Sequence, residues 1–504
     1  MINERKIGIL LGYLNIVLQI IIGIIYVPIL LKYIGKSEYG IYQLIGSLIA
    51  YLSIMDFGIT SAITRYYTIY KAKNDRKGME NILFISFVSF FFITMLLFML
   101  GCLIYINFEK VFSDNMTFEE ILSAKNLFAL LLINILFTIS TMSFKAIMNA
   151  HERFFVMKGL ESIQLILQPI LVVIVLQEYP CAFSVALVQT ILNGILMIMR
   201  IFYCIFFIGI KVKYHYINSE LIDGLGKLSI STFIVAIVDQ VFFRTNQIIL
   251  GIQSGTGAVA IYSIASVIYI NYMALSWTVS GVFLPKVTEM VAKNIAIKEI
   301  SNLFIKVGKY QYYILMFFLL GFLILGKDFI YLWAGKDYLE AYLITLVIII
   351  PFTIDLIQNL GICILQAYNC YGIRAKVYLI MGLLNIVFGI PMAKYFDGLG
   401  CAIVTGIIMF IGNGIIMNYY YIKKMKLDIM NFWYVIGKIS YKLWGYALIA
   451  FFINLYLENI GLYWDIFFIK VLIFAIGYLF VLIRFCMNKN EKIYIKNKLK
   501  YRRL

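Results

Sequence analysis

The chain has 504 residues, 63% of them hydrophobic and only 14% charged, with a formal net charge of +17. That balance excludes a soluble catalytic domain, and it places whatever the chain does inside or across a bilayer. A spanning helix needs about 20 mostly apolar residues, and the sequence predicts fourteen of them. Barrel strands alternate apolar and polar residues over about ten positions; these stretches are apolar on all sides, so the fold class is an all-α polytopic membrane protein.

Span 1 (7–31) follows Arg5 and Lys6. Its apolar run exceeds the about 7–15 residues of a signal peptide and no small-residue cleavage site follows, so it reads as a retained helix. Gly8, Gly12, Asn15, Gln19, Gly23 and Tyr26 recur at steps of three and four, one helical face. Such a face serves close packing through small residues or a cavity wall equally well. Span 2 (40–64) carries Ser53, Asp56, Thr60 and Thr64 on one face, with Arg65 on the opposite side from Asp56. Span 3 (81–106) is apolar. Span 4 (125–146) leads through Asn134, Thr138, Thr141 and Lys145 to Asn149.

Span 5 (155–177) begins with Lys158 and Glu161 and contains Gln168-Pro169, a kink whose freed backbone groups neighbouring helices must satisfy. Span 6 (181–210) carries Arg200. Span 7 (228–250) is the most polar, with Thr232, Ala236, Gln240, Arg244 and Gln247 in a stripe and Asp239 about 140° from Arg244. Arg244 can snorkel to the interface, but a lipid-facing helix would not also collect Gln240 and Gln247. Polar residues at this depth usually face the bundle interior or water, and the stripe predicts a cavity role for Arg244. Spans 8 (257–284) and 9 (307–326) precede span 10 (341–368), where Asp355, Gln358, Asn359, Gln366 and Asn369 again fall at helical steps. Spans 11 (375–396), 12 (398–422), 13 (440–457) and 14 (463–485) complete the set.

Basic residues set orientation. With the N-terminus cytoplasmic, the inner connections hold about 34 of the 43 Lys and Arg and the outer ones about 7. Both termini are then cytoplasmic, and the basic loops touch anionic lipid heads, which accounts for the charge without nucleic acid. The seven cysteines show no metal spacing, and the two histidines, His151 and His215, stand far apart. No nucleotide-binding G-x-x-x-x-G-K-[ST] loop is present. The expectation is no metal, no cofactor and no catalytic residue.

Ile41-Tyr42-Gln43-Leu44-Ile45-Gly46-Ser47 resembles Ile261-Tyr262-Ser263-Ile264-Ala265-Ser266 at an offset of about 220 residues, which also carries Asn149 onto Asn369. This predicts two parallel six-helix repeats, a plan of secondary transporters. The lobes are 1–215 with helices 1–6 and 216–427 with helices 7–12; helices 13–14 and a basic tail occupy 428–504.

The run Leu31-Lys32-Tyr33-Ile34-Gly35-Lys36-Ser37-Glu38-Tyr39-Gly40-Ile41-Tyr42, with Met55-Asp56-Phe57-Gly58 and Arg65-Tyr66 after it, resembles the opening of bacterial oligosaccharide flippases. These are the Wzx-type polysaccharide transporters, in a superfamily with MATE multidrug exporters and the lipid II flippase. Asn246-Gln247-Ile248-Ile249-Leu250-Gly251 and Ala258-Val259-Ala260-Ile261-Tyr262-Ser263 carry the same likeness. The resemblance implies two lobes around a cavity that opens alternately inward and outward. It implies movement of an undecaprenyl-diphosphate-linked oligosaccharide to the outer leaflet of the bacterial cytoplasmic membrane. A polymerase and other polysaccharide-assembly proteins are the implied partners.

Such a cargo calls for a cation at its diphosphate, Arg suiting bidentate contact, and for amides and hydroxyls at its glycan. The candidates are Arg244, Gln240, Gln247, Asn15, Gln19, Arg65, Lys145, Asn134, Gln358 and Asn359; Arg153, Lys158, Arg200 and Arg374 stand near the inner mouth. Proton coupling needs a carboxylate whose pKa burial can raise, and Asp239, Asp355 and Asp56 are placed for it. The alternatives are a MATE-like drug or ion antiporter and a membrane polysaccharide polymerase. The outer loops 107–124 and 327–340 are small for the polymerase's catalytic domain.

Overall fold

A computed structural model describes residues 2–216, 233, 237, 240–368, 370–457, 461–489 and 491–492. Among them the chain is helical throughout, with no strand, as apolar segments must be where lipid offers the backbone no partners. Eleven helical stretches are long and apolar enough to cross a membrane. Two of these, Val17–Ala72 and Gly372–Lys423, each hold two of the expected spans, and span 7 lies partly outside the described residues.

The first stretch is α1 (Ile2–Ser53) followed by α2 (Ile59–Ala72). Spans 1 and 2 both lie here, separated inside α1 at Gly35, whose φ of 74° and ψ of −178° belong to a region only glycine enters readily. Span 2 breaks again where a short 3₁₀ turn, Ile54–Asp56, leads into left-handed Phe57 and Gly58. Then come α3 (Arg76–Phe112), α4 (Phe118–Ser140), α5 (Met142–Ala150), α6 (Phe154–Glu178) and α7 (Ala182–Phe202). Thr117 and Glu120 form a capping box at the start of α4, which satisfies two orphan backbone donors reciprocally.

After α8 (240–253) follow α9 (Gly255–Ala292), α10 (Ile297–Trp333), α11 (Glu340–Ile357), α12 (Leu360–Ala367) and α13 (Tyr371–Met409). Inside α13 the helix is broken at Phe396 and Asp397, which separates spans 11 and 12. A π-helical stretch leads into α14 (Asn418–Lys423), and α15 (Ile429–Leu457) and α16 (Trp464–Val481) end the fold. Several helices outrun the spans predicted from hydropathy. The 37 residues of α3 and of α10 extend about 55 Å at 1.5 Å per residue, against a hydrocarbon core of about 30 Å. Hydropathy registers only the stretch in lipid, while the helix continues through its polar ends.

The chain forms two compact units, residues 1–263 with 393–398, and residues 264–392 with 399–504. In the first, Tyr39, Phe90, Phe108 and Phe128 are among the largest fully buried side chains. One end of this unit is knit by polar contacts. Glu120 accepts from Ser37 and from Thr256 (2.7 Å), and Glu38 accepts from Ser123 (2.9 Å) and the Ala182 amide (2.7 Å). Gly40 lies so close to the Thr256 carbonyl that a Cβ there would collide with it. In the second unit, α15 and α16 pack on α10. Tyr478 donates to the Tyr313 carbonyl (2.6 Å), Tyr313 to the Cys486 carbonyl (3.1 Å), and Lys470 pairs with Asp328 (2.9 Å).

Candidate functional site

Most intramembrane amides of the first unit have protein partners. Asn15 on α1 donates to the Lys158 carbonyl (3.1 Å) and accepts from Ser162 (2.6 Å), which ties α1 to α6. Asn134 donates to Thr190 (3.0 Å) and accepts from Asn193 (2.7 Å) and Thr138 (3.3 Å), so α4 and α7 share a closed hydrogen-bond network. Gln247 is buried, accepts from Ser47 and donates to Ser263 (3.0 Å). Buried polar groups must be paired or carry a desolvation cost, and these three meet that demand inside the helix bundle. Gln19, by contrast, is exposed.

Two members of the span 7 stripe differ. Arg244 is half-buried and makes no hydrogen bond or ion pair with another described residue. One turn earlier on the same face, the Gln240 carbonyl oxygen is buried with no partner among the described residues. A guanidinium with free donors beside an unused amide acceptor is suited to a ligand that carries both acceptors and donors. Asp239, the carboxylate proposed for this span, lies outside the described residues, as do Thr232 and Ala236.

Asp56 sits in the 3₁₀ turn, where it accepts from the Thr60 hydroxyl (2.8 Å) and amide (3.3 Å). Exposed Lys145 stands within electrostatic reach of this carboxylate, and Arg65 is exposed on α2. Lys158 pairs with Glu161 (2.7 Å), and Glu161 also faces Arg200, whose Nε is buried without a partner. His151, just beyond α5, meets the Tyr67 hydroxyl at 3.1 Å. Burial first, and then the cations Lys71 and Arg153, push its pKa down to about 4.

In the second unit Asp355 is not a lone carboxylate. Arg374 reaches both of its oxygens at 3.3 Å, and the Tyr378 hydroxyl donates to it at 2.9 Å. Tyr378 in turn accepts from Arg374 (2.8 Å) and from Asn413 (3.1 Å). Gln358 donates to Asn418 (2.9 Å), which also accepts from the Trp433 indole (3.0 Å). Asn359 donates to Ser276 (3.1 Å), a hydroxyl shared with Gln311 (2.9 Å). Gln358 and Asn359 stand where α11 ends and α12 begins, so their side chains bind neighbouring helices at a break in the backbone ladder. Sequence reasoning selected Asp355 and Arg374 separately and missed their union, because they come from different helices. It also missed the Lys470–Asp328 and Lys309–Glu491 pairs, although a lysine inside span 14 is itself a signal that a partner must exist.

The fold defines the class. The chain is similar to a lipid II flippase, MurJ, in an inward closed conformation, with a TM-score of 0.71 at 19% identity over 94% of this chain and 98% of that one. It is also similar to a multidrug resistance MATE family transporter of the MOP superfamily. The inward-facing form gives a TM-score of 0.63 at 10% identity over 81% of this chain and 96% of that one. The outward-facing form gives 0.52 at 12% identity, over 84% and 94% respectively. A comparison with curated proteins gives no match. The chain belongs to the polysaccharide biosynthesis protein family, whose model matches residues 7–291.

Proposed function

We infer that this chain is a flippase for a lipid-linked oligosaccharide, moving an undecaprenyl-diphosphate-linked repeat unit from the cytoplasmic to the outer leaflet by alternating access. The observation that carries this reading is the family match across 7–291. The MurJ-like and MATE-like fold agrees with it. Within the chain, Arg244 is the residue best suited to the diphosphate. It is half-buried, its guanidinium has no hydrogen-bond or ion-pair partner among the described residues, and it shares a helical face with the Gln240 carbonyl, which likewise has none among them. A charge-assisted bidentate contact is the strong way to hold a phosphate. The amides already paired within each unit, at Asn15, Asn134, Gln247, Gln358 and Asn359, are walls in this conformation rather than free ligands.

The energy source in this reading is an ion gradient or removal of the flipped product. Of the two carboxylates among the described residues, Asp355 has its charge compensated by Arg374, whereas Asp56 accepts from Thr60 and has Lys145 within electrostatic reach. That favours Asp56 as the exchanging group. The test is transport of a fluorescent undecaprenyl-diphosphate oligosaccharide in proteoliposomes, with and without an imposed proton or sodium gradient. Leaflet transfer above that of empty liposomes is expected; its absence under every gradient ends the flippase reading. Transfer that ignores the gradient ends ion coupling alone.

A further inference from the structure

The inner faces of α6 and α7 in the first unit carry a second set of amides. On α6, Gln164 and Gln168 fall one turn apart on the same side as Glu161. On α7, Gln189 and Asn193 do the same, in line with Arg200. All four are half-buried, and neither Gln164 nor Gln168 has a side-chain hydrogen bond among the described residues. The Gln189 carbonyl oxygen accepts from Tyr42 (3.2 Å), which leaves its amide nitrogen without an acceptor there. Asn193 donates to Asn134 (2.7 Å) and Thr138 (3.0 Å), which leaves its carbonyl oxygen without a donor there. Unlike the Gln240 oxygen, none of these unused atoms is buried, so a ligand can reach them.

Lipid is not what they face. Exposed Ile163, Ile166, Ile170 and Ile174 mark the lipid side of α6, about 135° around the helix from its two glutamines. On α7, exposed Ile191, Ile195 and Ile198 stand about 170° from Gln189 and Asn193. Depth and register agree. Gln168 lies ten residues before the end of α6 and Asn193 eleven past the start of α7. That puts them about 15 and 17 Å from the ends joined by the 179–181 turn, at the middle of a core about 30 Å thick. Glu161 faces Arg200, so seven residues along each of these antiparallel helices bring Gln168 level with Asn193. Packed helices lie about 8–10 Å apart, and the two amide pairs border one strip of interior surface that a disaccharide can touch on both sides.

The strip is neutral. No residue from Ser162 to Gln177 or from Ala182 to Met199 is charged. Primary amides supply both donors and acceptors, the complement of sugar hydroxyls, and exchanging bound water for sugar keeps each polar atom paired. A sugar carboxylate at this depth would have no countercharge, and an unpaired charge in apolar surroundings is costly. We propose that Gln164, Gln168, Gln189 and Asn193 form a sugar subsite, and that the sugars it holds are uncharged hexoses or N-acetylhexosamines. This rests on the flippase reading above and adds the charge class of the glycan to it.

The test measures retention of synthetic lipids by the purified full chain in detergent, using native mass spectrometry. The probes are undecaprenyl diphosphate alone, the same lipid carrying an N-acetylglucosamine disaccharide, and that glycolipid with glucuronic acid as its outer sugar. Wild type should retain the neutral glycolipid at least tenfold better than the bare or the acidic one. Gln164→Leu/Gln168→Leu, which removes no hydrogen bond among the described residues, should lower that advantage at least fivefold and leave the bare lipid unchanged. Retention of the bare lipid with no gain from the neutral disaccharide, an equal gain from the acidic one, or an undiminished gain in the double variant would overturn the subsite and leave the flippase reading standing. Retention of none of the three would overturn both. The comparison on wild-type protein decides the matter even where the variant fails to fold.

Discussion

Replacing Asp355 by Asn tests what the buried Asp355–Arg374 pair does. The two side chains are 12% and 9% exposed. Removing one partner of a buried pair leaves an uncompensated charge and costs about 3–5 kcal/mol. The asparagine amide keeps one oxygen as an acceptor, so Arg374 would lose the compensating charge and one of its two contacts at 3.3 Å but keep the Tyr378 hydroxyl at 2.8 Å, and the lower end, about 3 kcal/mol, is expected. The double variant Asp355→Leu/Arg374→Met removes both charges, and apolar replacement of a whole pair is often neutral. It should recover to within about 1 kcal/mol of wild type by the same reasoning. The assay is reversible unfolding in mixed micelles, followed by tryptophan fluorescence, with membrane abundance measured alongside. Wild-type stability in Asp355→Asn, or a double variant as damaged as the single, would refute the account. The outcome also governs transport experiments: lost transport in Asp355→Asn speaks to coupling only when abundance is intact.

Three further outcomes are expected. Arg244→Ala should cut glycan export about tenfold or more, the scale of a charge-assisted hydrogen bond of about 1.5–3 kcal/mol, with abundance unchanged; Arg244→Lys should keep part of it, and unaltered export from the alanine variant would reduce Arg244 to an interfacial anchor. Reporter fusions should give cytoplasmic signals after residues 75, 152, 217, 295, 372, 427 and 495 and external signals at 115 and 335, and an external signal at 295 would break the two-repeat proposal. His151, with its pKa pushed down to about 4, binds its proton in the unfolded chain first. Its packing against Tyr67 should therefore be complete above about pH 6.5 and weaken as pH falls toward 4; proteolysis in the 147–154 segment should rise over that window in wild type and stay flat in His151→Gln.

The spanning helices were legible because apolar runs of this length admit one reading. Neighbouring spans were separable even where helices run on continuously, since Gly35 and the break at Phe396 and Asp397 punctuate the pattern. What the sequence could not show was which polar groups are already engaged. Gln240, Arg244 and Gln247 share one stripe by spacing, yet Gln247 is paired with Ser47 and Ser263 while Arg244 has no partner among the described residues. Spacing fixes the face of one helix; engagement depends on what the next helix brings. The same limit hid Asp355–Arg374 and Lys470–Asp328, whose partners come from different helices.

The length of α3 and α10 matters for how other molecules can grip this one. Each helix runs about 25 Å farther than the hydrocarbon requires. The loops around them are short, and no folded domain is needed to present a surface. Stiff helical posts outside the lipid offer contacts that are already ordered, so a partner docking there avoids much of the entropy cost of immobilising a loop. Antibody fragments selected against the intact protein would find rigid epitopes at those helix ends.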